Sequence, residues 1–156
     1  MNLVFSVIVP VYNRPEEVRE LLHSLCLQTY RKDFEIIIVE DGSTETSKAV
    51  IEEFGNLNIT YFYKKNTGPG DSRNYAMQRA SGNYFIILDS DCVLPKAYLS
   101  SIDTHLISNY SDFFGGPDAA ASNFTSLQKA INYSMTSLLT TGGIRGRKEA
   151  ATNFEP

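Results

Sequence analysis

The sequence has few of the residues on which several classes of site depend. Its 156 residues include two cysteines, two histidines and no tryptophan. Cys26 and Cys92 lack the spacing of a metal site, and we expect both to be buried reduced thiols. His23 and His105 fall on predicted helices, away from the edge where the strands end, so a serine–histidine–aspartate triad is not expected.

Long apolar runs are also absent, and no stretch is apolar for long enough to cross a bilayer. Residues 1–12 are apolar but lack the basic segment and cleavage site of a secretion signal, and Pro10 interrupts them. A net charge of −4 argues against nucleic acid or an anionic membrane as the main partner. We therefore expect a cytoplasmic protein without a transmembrane segment. Peripheral contact with a membrane stays open for the full-length protein, and the sequence predicts no particular oligomeric state.

The common nucleotide-binding signatures are missing as well. The turn after the first predicted strand, from Pro10 to Pro15, contains no glycine, which excludes a dinucleotide-binding fingerprint there. No part of the sequence has the glycine and lysine spacing of a P-loop. If the protein binds phosphate, the binding must therefore come from backbone amides, a metal ion and one or two local cations.

What the sequence does contain is an alternation of strands and helices. Strands are predicted at 5–12, 34–40, 59–63 and 84–91, with a short one at 112–117. Helices are predicted between them, with inward-facing side chains at Val18, Leu21, Leu22 and Leu25, then Val50, Ile51 and Phe54, and later Leu99, Ile102 and Leu106. Asp71 or Ser72 would cap a short helix ending near Ala80, Pro95 would open the next, and 123–139 would form the last.

This alternation predicts an α/β fold with a mostly parallel central sheet flanked by helices. The length suits one domain, which we place at 1–139, followed by a loop or disordered end at 140–156. In such sheets ligands bind outside the carboxyl ends of the strands. Candidate site residues are therefore sought at that edge.

The predicted strand at 84–91 is the central one, apolar and expected to be buried on both faces, yet it ends in two carboxylates. Asp89 and Asp91 are two residues apart and would point the same way in extended backbone. At ~6 Å and an effective dielectric of ~20, their repulsion would be about 3 kcal/mol, which a divalent cation removes. The alternative is that Asp89 ends the strand and Asp91 caps a turn, which the pattern alone favours.

The same predicted edge carries Tyr12, Asp41, Arg73 and a loop with Gly68. Asp41 can accept a hydrogen bond from a pyrimidine imide or a ribose hydroxyl, or cap the second helix. Tyr12 can stack on a base or pack in the core. Arg73 can meet a base carbonyl or a phosphate, or remain a solvated helix charge. Gly68 permits close backbone approach, or merely a tight turn.

Four segments together resemble glycosyltransferase family 2, the inverting enzymes of GT-A fold that use nucleotide sugars. They are Val9 to Asn13, Val39 to Ser43, Asn66 to Asn74 and Asp89 to Asp91, in this order and spacing. The resemblance implies that Pro10, Tyr12, Asn13 and Asp41 hold the base and that Arg73 lies close to the base and diphosphate, with Gly68 in the same site. It further implies that Asp89 binds ribose and Asp91 binds the divalent cation, Mn²⁺ or Mg²⁺, with Asp89 as a possible second ligand.

The resemblance also implies an activity. A sugar would pass from a nucleotide-diphosphate donor, with a UDP-sugar favoured, to a hydroxyl of a glycan or lipid-linked acceptor, with inversion. The family's general base lies further along the chain, but after Asp118 the remaining acids are Glu149 and Glu155, and neither matches. We therefore expect the base beyond Pro156 and the chain to be the donor-binding part of a longer protein.

Two other functions stay open at this stage. A sugar-phosphate nucleotidyltransferase shares the α/β sheet and the metal, but it usually has a glycine-rich basic loop after the first strand, and Pro10 to Pro15 offers none. A non-catalytic nucleotide- or sugar-binding module would use its acids only to cap helices. It predicts that Asp91→Ala leaves nucleotide affinity unchanged.

Overall fold

The computed structural model describes residues 3–115 and Tyr133. Its elements in chain order are β1 (Phe5–Val11), α1 (Pro15–Cys26), β2 (Phe34–Asp41), α2 (Lys48–Glu52), β3 (Ile59–Lys64), α3 (Pro69–Met77), β4 (Tyr84–Ile87) and α4 (Tyr98–Ser108). The strands form one parallel sheet in the order β3-β2-β1-β4. The predicted parallel α/β fold is confirmed.

The core lies around β1 and β2, which occupy the middle of the described sheet. Most of their residues are buried, and Ile8, Ile37 and Val39 pack with Ala76 of α3. All the inward-facing residues predicted for α1 and α4 are buried, and in α2 Val50 is buried. Each large apolar side chain buried in this way contributes about 1.5–3 kcal/mol. This packing holds the strand ends, and the loops that follow them, in place.

The prediction for β4 is wrong in its length, position and burial. The strand ends at Ile87 instead of Asp91, and it lies at one edge of the described sheet. Phe85 and Ile87 are 39% and 46% exposed. After Leu88, whose N–H donates to the carbonyl of Ile8, the chain turns, and the N–H of Cys92 donates to the carbonyl of Asp89. Asp89 and Asp91 therefore lie outside the strand, in a turn, where a two-residue spacing no longer predicts side chains on the same side.

Several element ends also differ from prediction. Helix α3 begins at Pro69 after Gly68 and ends at Met77, so neither Asp71 nor Ser72 caps it. Helix α4 begins at Tyr98, three residues after Pro95. Residues 112–115 contain no strand, while 116–117 lie outside the described residues. The predicted helix at 123–139 (Tyr133 apart) and the end at 140–156 also lie outside them.

Two sequence-based expectations concern the cysteines and the membrane. Cys26 and Cys92 are both outside any disulfide, but each is only partly buried. Within the described part of the chain, the helices are too short or too polar to span a bilayer. Contacts along the chain separate Met1–Tyr110, which holds the sheet and its helices, from Ser111–Pro156. The predicted domain boundary at residue 139 stays a prediction.

Candidate functional site

The carboxyl ends of the parallel strands bring distant parts of the sequence together. Asp41 at the end of β2 lies in register with Lys64 at the end of β3. Side chains then link the loops across this edge: Arg14 to Asp91, and Arg73 to Asp89. The predicted gathering of acids and cations at one edge is therefore present, although each acid already has a partner within the described residues.

Asp41 is 3% exposed and holds the glycine loop. Its Oδ1 accepts hydrogen bonds from the backbone N–H of Thr67 at 2.9 Å and from Lys64 Nζ at 2.5 Å. Its Oδ2 accepts the N–H of Gly68 at 2.8 Å. Burial raises the pKa of Asp41, but the hydrogen bonds from Lys64, Thr67 and Gly68 outweigh it, so the pKa lies below its usual value. The alternative that Asp41 caps α2 is wrong.

Lys64 was not among the predicted site residues, yet it is central to this loop. Its side chain is 12% exposed, and its Nζ contacts Asp41, the hydroxyl of Thr67 and, at 3.1 Å, Oδ2 of Asp71. Burial lowers the pKa of Lys64, but its hydrogen bonds to Asp41 and Asp71 raise the pKa by more. The pKa of Lys64 therefore lies above its usual value. Hydrogen bonds from Thr67 and then Lys64 lower the pKa of Asp71.

Two glycines make this loop geometry possible. Gly68 has a φ of 95°, which favours glycine, and its N–H reaches Asp41 because the backbone turns there. Gly42 has a φ of 75°, and a Cβ at that position would lie 2.6 Å from the backbone nitrogen of Asn66. The loop after β3 can therefore approach the end of β2 only where a side chain is missing.

Asn13 fastens the loop after β1 to the loop after β2. Its Oδ1 accepts hydrogen bonds from the N–H groups of Thr44 at 2.8 Å and Glu45 at 3.0 Å, and its own N–H donates to Oγ of Ser43 at 2.7 Å. Its φ of 52° is one that asparagine tolerates better than most residues. Asn13 thus lies at the predicted site, but its side-chain oxygen serves the fold.

Glu40, next to Asp41, is fully buried and also serves the fold. It accepts hydrogen bonds from the hydroxyl of Ser43, the N–H of Ser47 at 2.8 Å and the hydroxyl of Tyr61 at 3.4 Å. Burial, together with the Glu40 charge, raises the pKa of Tyr61 to about 12. The carboxylate of Glu40 therefore holds the start of α2 against β3.

Arg73 and Asp89 form the first of two exposed charge pairs at this edge. Arg73 Nη2 lies 2.6 Å from Asp89 Oδ1, and the Asp89 side chain is 66% exposed. The Nε of Arg73 is buried and has no hydrogen-bond partner among the described residues. An unpaired buried donor costs about 1–3 kcal/mol, so a movement of the Arg73 side chain that brings Nε to a ligand acceptor would be favourable.

Arg14 and Asp91 form the second pair. Arg14 Nη1 lies 3.2 Å from Asp91 Oδ2, and both side chains are about half exposed. Sequence reasoning missed Arg14, because it was read only as part of the turn that opens α1. The signal available was its position immediately after Asn13, at the same strand end as the predicted base-binding residues.

Tyr12 and Pro10 complete the predicted set. Tyr12 is 53% exposed, so the alternative of core packing is wrong, and its ring is available for stacking. Pro10 is partly buried within β1. The carbonyl of Ile8 faces β4, because it accepts the N–H of Leu88. In a strand, the backbone groups of residues two apart point the same way, so those of Pro10 also face the side of β4. The missing N–H of Pro10 therefore falls where β4 has already ended, so the sheet loses no hydrogen bond there.

These residues fit a divalent cation only together with a ligand. Among residues 3–115 and Tyr133, no three His, Cys, Asp or Glu side chains cluster as metal ligands would. Mg²⁺ and Mn²⁺ nevertheless need only one or two carboxylates when substrate phosphates supply further oxygens. Asp91, with Asp89 nearby in sequence, offers that donor set. The edge therefore suits a cation that arrives with a diphosphate rather than a separate protein metal site.

The fold is that of the GT-A glycosyltransferases. Staphylococcus aureus TarS 1-349 in complex with UDP-GlcNAc superposes with a TM-score of 0.67 at 32% identity, over 80% of this chain and 39% of that one. The mannosyltransferase PcManGT from Pyrobaculum calidifontis, in complex with GDP-Man and Mn²⁺, gives 0.57 at 26% identity, over 61% of this chain and 29% of that one.

The chain belongs to glycosyl transferase family 2, whose model matches residues 6–154. It is 35% identical to the poly(ribitol-phosphate) beta-N-acetylglucosaminyltransferase TarS of S. aureus, over 69% of this chain and 20% of the relative. It is also 35% identical to the glycosyltransferase GlyA of Streptococcus pneumoniae, over 71% of this chain and 16% of the relative. The matched part of the chain thus spans about a fifth of the first relative and about a sixth of the second.

Proposed function

We propose that this chain binds the donor of an inverting glycosyltransferase, a nucleoside diphosphate sugar with a UDP-sugar favoured. The observation that carries the proposal is Arg73, an arginine at the carboxyl edge with one nitrogen on Asp89 and a buried Nε without a partner among the described residues. A phosphate or carbonyl oxygen would satisfy that nitrogen. Relatives that bind UDP-GlcNAc or GDP-Man support a nucleotide-sugar ligand.

The other edge residues have matching roles. The exposed ring of Tyr12 stacks on the base, with Pro10 and Asn13 shaping the strand end beside it. Asp41 remains ionised and can accept one more hydrogen bond, from a base imide or a ribose hydroxyl. Gly68 brings backbone close to the ligand, and the exposed carboxylate of Asp89 takes the ribose hydroxyls. Arg73 faces the diphosphate.

Asp91 would hold the divalent cation, with Asp89 as a possible second ligand. When bound, the cation would supply positive charge that stabilises the departing nucleoside diphosphate. The protein's part is then to orient the donor so that an acceptor hydroxyl can attack the anomeric carbon from the opposite side, which gives inversion. The acceptor that we propose is a glycan or a lipid-linked molecule that carries a hydroxyl group.

The proton of the acceptor hydroxyl needs a general base. Within residues 3–115, the acids at this edge are already engaged in holding loops or in the donor roles above. We therefore assign the base to a residue outside that range. The donor-binding role of this chain can be tested without it.

The test is nucleotide-dependent thermal stabilisation. UDP at a hundredfold its dissociation constant should stabilise the folded chain by about 2.7 kcal/mol, and Mn²⁺ should strengthen the effect. Asp91→Asn should remove the Mn²⁺ dependence, while the matched control Asp33→Asn, an exposed acid before β2, should keep it. GDP and UTP run beside UDP identify the base and test for a nucleotidyltransferase. No response to any nucleotide would contradict the proposal. A response that Asp91→Asn leaves unchanged would favour a non-catalytic binding module.

A further inference from the structure

The ammonium group of Lys64 has no proton left for a ligand. It contacts Oδ1 of Asp41 at 2.5 Å, Oδ2 of Asp71 at 3.1 Å and the hydroxyl of Thr67. A fourth neighbour is the backbone carbonyl of Lys65, at 3.4 Å from Nζ. A lysine ammonium has three donors and no acceptor, so these neighbours occupy all of its donors. With only 12% of its side chain exposed, Lys64 is enclosed by protein groups and acts on any ligand indirectly.

The contacts of Lys64 decide which oxygen of Asp41 remains available. Oδ1 accepts two hydrogen bonds, from Lys64 and from the N–H of Thr67, whereas Oδ2 accepts one, from the N–H of Gly68. Each carboxylate oxygen has about two acceptor positions. The one that remains therefore lies on Oδ2. An ionised carboxylate can only accept, so this position takes an N–H or O–H donor and rejects another acceptor.

Lys64 also balances charge. Asp41 and Asp71 both contact the same ammonium, one from the end of β2 and one from the first turn of α3. Without Lys64 the buried carboxylate of Asp41 would lose its counter-ion and face a second negative charge. The two acids would then separate, and the loop from Thr67 to Gly68 would lose its position relative to β2.

We infer that Lys64 is a positioning residue for the donor nucleoside: it turns Asp41 so that Oδ2 faces the ligand, and it holds the glycine loop beside that oxygen. This inference rests on the proposed function, because it concerns how the same site takes the nucleoside part of its donor. In this role Lys64 does not contact the diphosphate, whereas a lysine at a phosphate-binding site usually binds the phosphate directly.

The experiment compares the affinities of UMP and UDP, each measured by calorimetry, in two matched variants. Lys64→Met should lower the affinities for UMP and UDP by the same factor, about tenfold. The reason is that Lys64 acts through the charge-assisted hydrogen bond that Asp41 makes with the nucleoside, which both ligands contain. Lys65→Met, at the exposed neighbouring lysine, should change neither by more than about twofold. A lysine that bound phosphate directly would instead weaken UDP much more than UMP.

A double-mutant cycle separates positioning from a general loss of structure. If Lys64 acts through Asp41, then Lys64→Met added to Asp41→Asn should cause no further loss of affinity, beyond about twofold. If the role of Lys64 were purely structural, the fold-losses of affinity in the two single variants would multiply in the double variant. Should Lys64→Met fail to fold, Lys64→Arg retains the charge and changes the geometry, because a planar fork cannot replace three tetrahedral donors. It should also weaken both ligands about tenfold.

The outcomes distinguish this inference from the proposed function. If the wild-type chain binds UDP and both Lys64 variants bind like Lys65→Met, the positioning role is wrong and the donor site stands. Multiplying losses in the cycle, or a loss confined to UDP, would likewise overturn the positioning role alone. If the wild-type chain binds neither UMP nor UDP, both proposals fail together.

Discussion

The two acidic strand ends at the carboxyl edge differ in how much of their charge is left for a ligand. At the end of β2, Glu40 and Asp41 are 0% and 3% exposed, and their oxygens accept hydrogen bonds from neighbouring loops. After β4, the side chains of Asp89 and Asp91 are 66% and 57% exposed, and each contacts one arginine.

The difference shows that acids gathered at one edge need not share one task. Buried carboxylates that accept several backbone N–H groups fix the loops, and their loss leaves buried donors unpaired. Exposed carboxylates paired with an arginine contribute little to stability, because water screens the pair. An exposed carboxylate of this kind can therefore leave its arginine and contact a ligand with little loss of stability. The end of β2 therefore mainly builds the site, with one acceptor position of Asp41 left open, and we propose that the exposed acids after β4 bind the ligand.

The sharpest test of this comparison is stability. Glu40→Ala should lower the free energy of unfolding by about 3 kcal/mol, because it leaves a cavity and unpairs the N–H of Ser47 and the hydroxyl of Tyr61. Asp89→Ala should change it by less than about 0.5 kcal/mol. Urea denaturation of both variants measures the difference. Equal losses of unfolding free energy in the two variants would mean that Glu40 and Asp89 contribute equally to the stability of the fold.

Ligand affinity should instead depend on the exposed charge pairs of the site, such as that of Arg73 with Asp89. Arg73→Met should weaken UDP binding about tenfold, because it removes both the contact to Asp89 and the Nε that lacks a partner among the described residues. Arg73→Lys keeps the charge but lacks Nε, and should recover only part of the loss. Arg79→Met changes a cation just after the same helix, one that stacks on Tyr75, and serves as the control. Calorimetry decides, and unchanged affinity for Arg73→Met would contradict the proposed site.

The pH dependence of stability should reflect the buried acid. The pKa of Asp41 is lowered in the folded state from 3.8, mainly because the hydrogen bonds from Lys64, Thr67 and Gly68 outweigh burial. A lowered pKa means that Asp41 stabilises the fold above about pH 3.8 and loses this contribution as the pH falls through the folded value. Between pH 5 and 3, Asp41→Asn should therefore lose less stability than the wild type. Parallel profiles would contradict this prediction.

The smallest effect is expected at the exposed pair beside the turn. Arg14→Gln should change the unfolding free energy by less than about 0.5 kcal/mol, because the Arg14–Asp91 contact is half exposed. Added salt should change the wild-type value equally little through this pair. A loss above 1 kcal/mol in thermal or urea unfolding would place Asp91 with the structural acids of β2 instead.

Much of this site was predictable, and the errors have physical causes. Tyr12, Asp41, Arg73 and Asp89 were all expected at the carboxyl edge, because parallel strands carry their following loops there. Lys64 and Glu40 were not recognised as structural anchors, since a charge at a strand end has the same sequence pattern whether it faces a ligand or a neighbouring loop.

The sequence by itself determined the alternation of strands and helices, the parallel sheet and the edge at which the polar residues collect, because apolar periodicity and short turns are local properties. Tertiary structure alone decided which acids are buried and which are exposed. That choice depends on partners more than twenty residues away, such as Thr67 and Gly68 for Asp41, whose N–H groups reach the carboxylate only after the strands have paired.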